Sequence, residues 1–354
     1  MRKLAIFLLL ALLLSTPAMG ADTAALEGAL PETAREVLGD MTVSDVMEGR
    51  GVFPALWDWI KRQVSEKAAE AARGACVVLT VTLLCSAAGV MSENGKTPGY
   101  MLLGGALAIL GACAGDIRSF LGQTQTAMAT LSDFSRALLP CVAASAAAAG
   151  DASASARYTA SALFLDILMT LGAELILPMI YAFCVTAAAD AALPEGALGG
   201  PVKLMRWGCT TLLAGLTTVF TLCLTVSGAV AGSAGKLAGS VAKTAISAAL
   251  PVVGSILSDA ADAYLAGAQL VRGAVGVFGL AAVLCVCAGP AVGLGLRYLL
   301  FKAAACVCEP FSDGRLAALV GNIASAYGMA LGLVGSAGAM LFISVVLGMG
   351  VLTG

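Results

Sequence analysis

The chain contains no histidine among its 354 residues. Histidine is the usual base beside a catalytic serine or cysteine, and it is a frequent zinc ligand. Its absence excludes Ser-His and Cys-His catalysis and every histidine-ligated metal site. Neither a nucleophile nor a phosphate-cradling glycine loop accompanies the acidic pair Asp259 and Asp262. We therefore predict a protein that is not an enzyme and needs no cofactor.

Charged residues are also scarce. They make up 12% of the chain against 59% apolar residues, and the mean hydropathy is +0.94. Soluble proteins carry about a quarter charged residues, so this composition predicts an integral membrane protein. The net charge of -2, without any basic run, gives no support to nucleic-acid binding.

The 11 cysteines are scattered through apolar segments and are interpreted as small packing residues. Cys285 and Cys287, like Cys306 and Cys308, are two residues apart. On a helix such a pair points about 200° apart and cannot share a metal ion. The segment before Cys76 has no cysteine, so no disulfide framework is predicted there.

Residues 1–20 have the pattern of a secretory signal peptide. Arg2 and Lys3 precede an apolar core over residues 4–14, and Ala18 and Gly20 put small residues at the -3 and -1 positions of a cleavage site. Cleavage after Gly20 and an uncleaved anchor are the two alternatives. Either one carries residues 21–72 across the membrane as an extracytoplasmic helical segment, and residues 73–354 are predicted to form a multi-span membrane domain.

The fold prediction is an all-α polytopic membrane protein with about six to eight transmembrane helices. Residues 117–136 are predicted as a separate interfacial helix, and a helical pair is predicted to turn near Ala173 and Glu174. Counting crossings puts Lys203, Arg206, Arg297 and Lys302 on the inside, in agreement with the positive-inside rule. The predicted crossings are 75–91, 99–115, 138–150, two within 158–193, 209–231, 274–296 and 324–352.

Residues 236–272 differ from the membrane spans around them, because they form two amphipathic arms of opposite charge. In the first arm Lys236 and Lys243 share one helical face with two serines. The second arm follows the break at residues 251–254 and begins with Asp259 and Asp262. We predict a broken, re-entrant or surface-lying hairpin on the outer face. Its candidate partner-binding or pore-lining residues are Lys236, Lys243, Pro251, Gly254, Asp259, Asp262 and Arg272.

Asp259 and Asp262 lie three residues apart, which puts both carboxylates on one helical face. Such a pair can contact a partner, line a pore when several copies assemble, or couple to an ion or proton. It can equally be a solvated pair that favours the N-terminal end of the helix dipole. Glycines spaced by four, such as Gly228 with Gly232 and Gly328 with Gly332, allow close helix packing within a chain or in a homo-oligomer.

The stretch after the break also resembles the stage III sporulation protein AE family of endospore-forming bacteria. The resemblance covers the whole chain and is most specific over about residues 250–315. Two residues depart from the family pattern, Arg272 where a lysine is usual and Glu309 where a glutamine is. The matching residues are 251–254 (PVVG), 258–262 (SDAAD), 272–276 (RGAVG), Pro290, 302–305 (KAAA), Glu309-Pro310 and Asp313-Gly314.

That resemblance implies a multi-pass protein of the mother-cell membrane around the forespore. It would be a core or platform subunit of a channel-like complex that links the two compartments and supports late forespore development. The implied partners are ring-forming proteins, a secretion-type ATPase and the lipid bilayer. Two other functions stay open. One is a stand-alone secondary transporter with a discontinuous helix at residues 251–254, and the other is a non-conducting assembly scaffold.

Overall fold

The computed structural model describes residue 36 and residues 52–90, 99–148, 152–193, 197–222, 254–312 and 314–348. These residues are helical except for short turns, and the described part contains no strand, which confirms the all-α prediction. The helices are α1 (Val52–Val90), α2 (Gly99–Ala148), α3 (Ala152–Leu171), α4 (Leu177–Ala192), α5 (199–222), α6 (Gly254–Cys308) and α7 (Gly314–Gly348).

Five stretches of these helices are long and apolar enough to cross a membrane: Pro54–Ala88, Gly99–Pro140, Ala162–Ala192, Gly279–Cys308 and Gly314–Val345. The protein is therefore a polytopic helical membrane protein, as predicted. The described residues contain five candidate spans, fewer than the six to eight that were predicted for the chain. The predicted span 209–231 begins within α5, and its part after residue 222 lies outside the described residues. The predicted signal peptide, residues 1–20, also lies outside them.

Helix α2 is a single helix of 50 residues, about 75 Å long at 1.5 Å per residue. The separate interfacial helix predicted over 117–136 is therefore wrong. Its polar residues do not end the helix, because its apolar residues continue one buried face. Phe120, Met128, Leu131 and Phe134 lie on that face at helical spacing, and Pro140 is accommodated near the C-terminal end.

The turn predicted near Ala173 and Glu174 is also wrong. Helices α3 and α4 join through a π-helical turn, Gly172–Ile176, in which the Leu177 N–H donates to the Gly172 carbonyl. Pro178 follows and has no N–H to give to the carbonyl of Glu174. The wider turn absorbs this break, since π-turns insert one residue into a helix without ending it.

Helix α6 joins two elements that were predicted separately. Gly254 is its first residue, and it runs without a break through Pro290 to Cys308. The second arm of the predicted hairpin is therefore continuous with the next span and is not an independent arm. The first arm, with Lys236, Lys243 and Pro251, lies outside the described residues. Helix α7 likewise begins at Gly314, ten residues before the start of the predicted last span at residue 324.

The core lies between α1, α2, α6 and α7. The α6–α7 pair is antiparallel, whereas α1 runs parallel to α6, with Trp59 beside Gly289 and Glu70 beside Arg297. At the centre the Tyr327 ring lies 4.5 Å from that of Phe120 and 5.2 Å from that of Phe301, measured between centroids. This aromatic contact brings α2, α6 and α7 together.

Polar contacts fix the edges of the bundle. Arg136 on α2 donates to Asp166 Oδ1 on α3 through two nitrogens, at 2.7 and 2.8 Å. At the other end Asp190 Oδ1 accepts the Leu198 N–H at 2.9 Å, which closes the connection between α4 and α5. The Ser86 hydroxyl donates to the Phe311 carbonyl and ties the turn after α6 to α1.

Candidate functional site

The most unusual side chain in the bundle is Arg297, which is only 2% exposed. It lies on α6, eleven residues before Cys308 (308 − 297), within the candidate span Gly279–Cys308. The prediction that Arg297 lies beyond the end of a span is therefore wrong, whereas its place on the inner side stays a prediction. That span was predicted to end at residue 296, but the helix stays apolar and packed for three more turns. Lys302 is exposed on the same helix.

A carboxylate on α1 neutralises this arginine. Arg297 Nη2 lies 3.1 Å from Glu70 Oε1, and the Glu70 side chain is 61% exposed. The pair is thus asymmetric, with the cation inside the protein and the anion at its edge. A charge placed in the apolar part of a membrane protein costs several kcal/mol unless it is paired. Glu70 offsets this cost by pairing with Arg297.

A glycine on α6 allows two more polar side chains to approach Arg297. A Cβ atom on Gly293 would lie 3.4 Å from Gln123 Oε1, 3.6 Å from Lys67 Cδ and 3.7 Å from Arg297 Nη1. Residues from α1, α2 and α6 therefore converge on one point of the α6 backbone. A larger residue at position 293 would press against all three side chains.

An acidic residue on α2 completes the arrangement. Asp116 is close enough to interact with the charges of both Arg297 and Glu70, and its Oδ2 would be 2.7 Å from a Cβ atom on Gly74. Among the residues that the structure describes, none forms a hydrogen bond with the buried hydroxyl of Tyr327. We call this group the charge cluster, and its members are Lys67, Glu70, Asp116, Gln123, Arg297 and Tyr327.

A polar cavity of about 350 Å³ adjoins the charge cluster at the Pro290 turn of α6. Lys67 Nζ donates to the Gly289 carbonyl at 3.4 Å there, and Pro290 leaves the Val286 carbonyl without its helical donor. Trp59, 3% exposed, also lines the cavity, and no acceptor for its indole N–H lies within the described ranges. The lining residues are Glu36, Trp59, Gln63, Lys67, Gln123, Thr126, Ala127, Thr130, Val286, Gly289 and Pro290.

The chemistry of the charge cluster is electrostatic. Two cations and two anions from α1, α2 and α6 hold these helices in one register, and the unpartnered donors beside the cavity suit water or a polar solute. Within the described ranges, no group of three cysteine, aspartate or glutamate side chains is arranged to hold a metal ion.

The structure does not bring the predicted site residues to this cluster. Gly254, Asp259, Asp262 and Arg272 belong to the first part of α6. Arg272, the nearest of them, precedes Arg297 by 25 residues (297 − 272), or about 38 Å along a helix. Lys236, Lys243 and Pro251 lie outside the described residues. The hairpin residues and the charge cluster are thus two separate candidates.

Sequence reasoning missed the charge cluster, although one signal for it was present. Lys67 and Glu70 are three residues apart on the polar face of α1, a spacing that usually indicates a solvated pair. Arg297 stands in a long apolar stretch between Ala288 and Phe301, where it is the only charged residue. A lone cation in such a stretch predicts a partner on another helix.

Comparison with known proteins identifies the family. A family model described as stage III sporulation protein AE (spore_III_AE) matches residues 50–351. A stage III sporulation protein AE from Bacillus subtilis (strain 168) is 25% identical over 189 residues, which cover 53% of this chain and 47% of that relative. The match thus spans about half the length of the curated relative. No solved structure matches the chain. With most of its length matched by that family model, the chain belongs to the stage III sporulation protein AE family.

Proposed function

We propose that this chain is a membrane core or platform subunit of a channel-like complex that links the mother cell to the forespore and is needed for late forespore development. The observation that carries the proposal is the family match over residues 50–351 of a chain with five candidate membrane spans. A role in sporulation follows from the family. The place within a complex is our inference.

The packing of the bundle suits a platform. Charged side chains from α1, α2 and α6 lie around the buried Arg297, and Arg136 joins α2 to α3. Such pairs resist sliding of one helix along another, because each shift would leave a charge unpaired in an apolar environment. A rigid membrane subunit can hold ring-forming proteins on one side and a secretion-type ATPase on the other. We propose these as partners, with the chain in the mother-cell membrane and residues 21–72 outside the cytoplasm.

Purification of the tagged full-length chain from sporulating cells tests the proposal directly. We expect ring-forming sporulation proteins to co-purify in fixed ratio, and imaging of the particle to show this chain at a membrane-embedded base. The same tag on an unrelated polytopic membrane protein of the sporulating cell is the control. Recovery of the chain alone, after mild extraction and cross-linking, would contradict a platform role.

Asp259 and Asp262 on α6 give a test of conduction. If they line a path, Asp259→Asn with Asp262→Asn removes two charges while preserving side-chain shape, so we expect normal assembly with a loss of forespore gene activity of about tenfold. Reporter expression in the forespore and spore counts measure the effect. Asp133→Asn, a carboxylate that is largely exposed on α2, is the matched control. Normal spore yield from the double variant would rule out a pore-lining role and leave the scaffold.

A stand-alone transporter is the second candidate, and the cavity beside Pro290 favours it, since several polar side chains and a backbone carbonyl freed by the proline lie there within a candidate membrane span. Uptake by the purified chain in liposomes separates the two functions. Solute uptake that needs no other subunit and is lost in Lys67→Met would favour the transporter. Uptake equal to that of empty liposomes is the result expected for a platform.

A further inference from the structure

A second cavity lies between α5 and α7. Its volume is about 660 Å³, and α5 supplies Arg206, Thr210 and Thr217 while α7 supplies Ser325 and Ser336. The outer face of α5 is apolar and exposed at Leu212, Val219 and Leu222. As formed by the described residues, the cavity therefore opens beside an apolar surface suited to acyl chains.

The hydroxyl groups of this cavity are already used within their own helices. Thr210 donates to the Arg206 carbonyl, Thr217 to the Leu213 carbonyl and Ser325 to the Gly321 carbonyl, at 2.8 to 3.0 Å. Such internally satisfied hydroxyls are compatible with an apolar occupant. Arg206 is different, since a guanidinium has five donors, and among the described residues only the Ser325 hydroxyl accepts one. No described carboxylate pairs with it.

Arg206 also marks one end of the cavity. Trp207 is 64% exposed and Lys203 is exposed one turn earlier, a combination found where membrane helices cross the headgroup region. Further along α5 and α7 the walls become apolar, with Leu213, Met329 and Leu331. The cavity thus has one cationic end at the level of the headgroups and an apolar remainder beneath it.

From this arrangement we propose that the α5–α7 cavity binds an anionic phospholipid, with Arg206 holding the phosphate and the apolar walls holding the upper part of an acyl chain. Basic pockets between membrane helices bind acidic headgroups in this way, with about 1 kcal/mol for each basic side chain. Gly328 and Gly332 let Tyr298 and Leu213 pack closely against α7 at the cavity, because a Cβ atom there would lie 3.0 Å from Tyr298 and 2.9 Å from Leu213. This site does not depend on the proposed channel complex.

The test uses the purified full-length chain in nanodiscs of phosphatidylcholine with increasing phosphatidylglycerol, and native mass spectrometry counts the retained lipids. We expect Arg206→Gln to weaken retention of phosphatidylglycerol about fivefold. Lys203→Gln should not change it, because Lys203 is equally basic and one turn away but does not line the cavity. Arg206→Lys should retain most of the binding, which also separates a lost contact from a misfolded protein.

Three results would overturn the proposal. Equal losses in Arg206→Gln and Lys203→Gln would indicate general surface charge without a defined site. Unchanged retention in Arg206→Gln would remove the assigned headgroup contact. Displacement of the lipid by millimolar inorganic phosphate would indicate a site for free anions, since phosphate lacks the acyl chain that the apolar walls are proposed to hold.

Discussion

Replacing Glu70 with alanine is expected to lower the free energy of unfolding by about 2 kcal/mol. The reason is the asymmetry of the pair, since Arg297 is 2% exposed while Glu70 is 61% exposed. Loss of the exposed partner leaves a cation inside the bundle with only Asp116 nearby. Fully buried pairs cost more on disruption, about 3–5 kcal/mol, and the remaining carboxylate and partial access to water reduce the effect here. Denaturation by sodium dodecyl sulfate in mixed micelles, followed by tryptophan fluorescence, measures it.

Replacing the other member of the pair, Arg297, should change the free energy of unfolding less. Arg297→Met removes the buried charge and keeps most of the side-chain volume, so we expect a change of about 1 kcal/mol or less, of either sign. Adding Glu70→Ala to Arg297→Met should then cost almost nothing more. An equal cost of Glu70→Ala in both backgrounds would show that Glu70 does not act through Arg297. Asp58→Ala, which breaks the exposed Lys61–Asp58 pair on the same helix, is the control.

Gly338→Ala should destabilise the protein by about 2 kcal/mol, because the added methyl group meets Cys287 in the α6–α7 interface. A Cβ atom there would clash with Cys287 Sγ, and Cys287 Cβ would be 3.6 Å away. Removal of the sulfur should relieve the clash, so Gly338→Ala with Cys287→Ala is expected to recover most of the loss. The same micelle titration provides the measurement.

Gly335, one turn earlier on α7, is a matched control for this substitution. A Cβ atom at Gly335 meets no other atom within 4 Å. Alanine is favoured over glycine in a helix by up to about 1 kcal/mol, so Gly335→Ala should be neutral or stabilising. Opposite signs at the two positions would establish the close packing at Gly338. Equal destabilisation by both variants would point to a general need for flexibility in α7 and would contradict the steric explanation.

Composition and periodicity were sufficient for the fold class but not for the ends of the helices. The high apolar content predicted a polytopic helical protein because apolar segments of this length must satisfy their backbone groups in helices. Polar stretches such as 117–136 and prolines such as Pro140 were interpreted as boundaries. The structure shows α2 running through both, since side-chain pairing and packing between helices compensate for them, and neither is visible in one segment alone.

The charge cluster was missed for a related reason. Its members lie on four helices, several of them far apart in sequence, and only the fold brings them together. The positive-inside rule counts basic residues without knowing whether they face a loop or a core. Arg297 was therefore counted as an inner loop charge. The predictions for the hairpin residues stay predictions, because Lys236, Lys243 and Pro251 lie outside the described residues.

The contact between α1 and α6 also sets the order in which the bundle can form. Glu70 and Arg297 are separated by 227 residues. At a synthesis rate of about 5–20 residues per second, Glu70 is synthesised roughly 10–45 s before its partner Arg297. During that interval Lys67 and Glu70 lack the Gly289 carbonyl and the Arg297 guanidinium that they contact in the folded bundle, so the polar part of α1 is expected to stay at the membrane surface. Insertion of α6 would then bring the polar part of α1 into the bundle. A helix that is synthesised late would thus fix the position of one that is synthesised early.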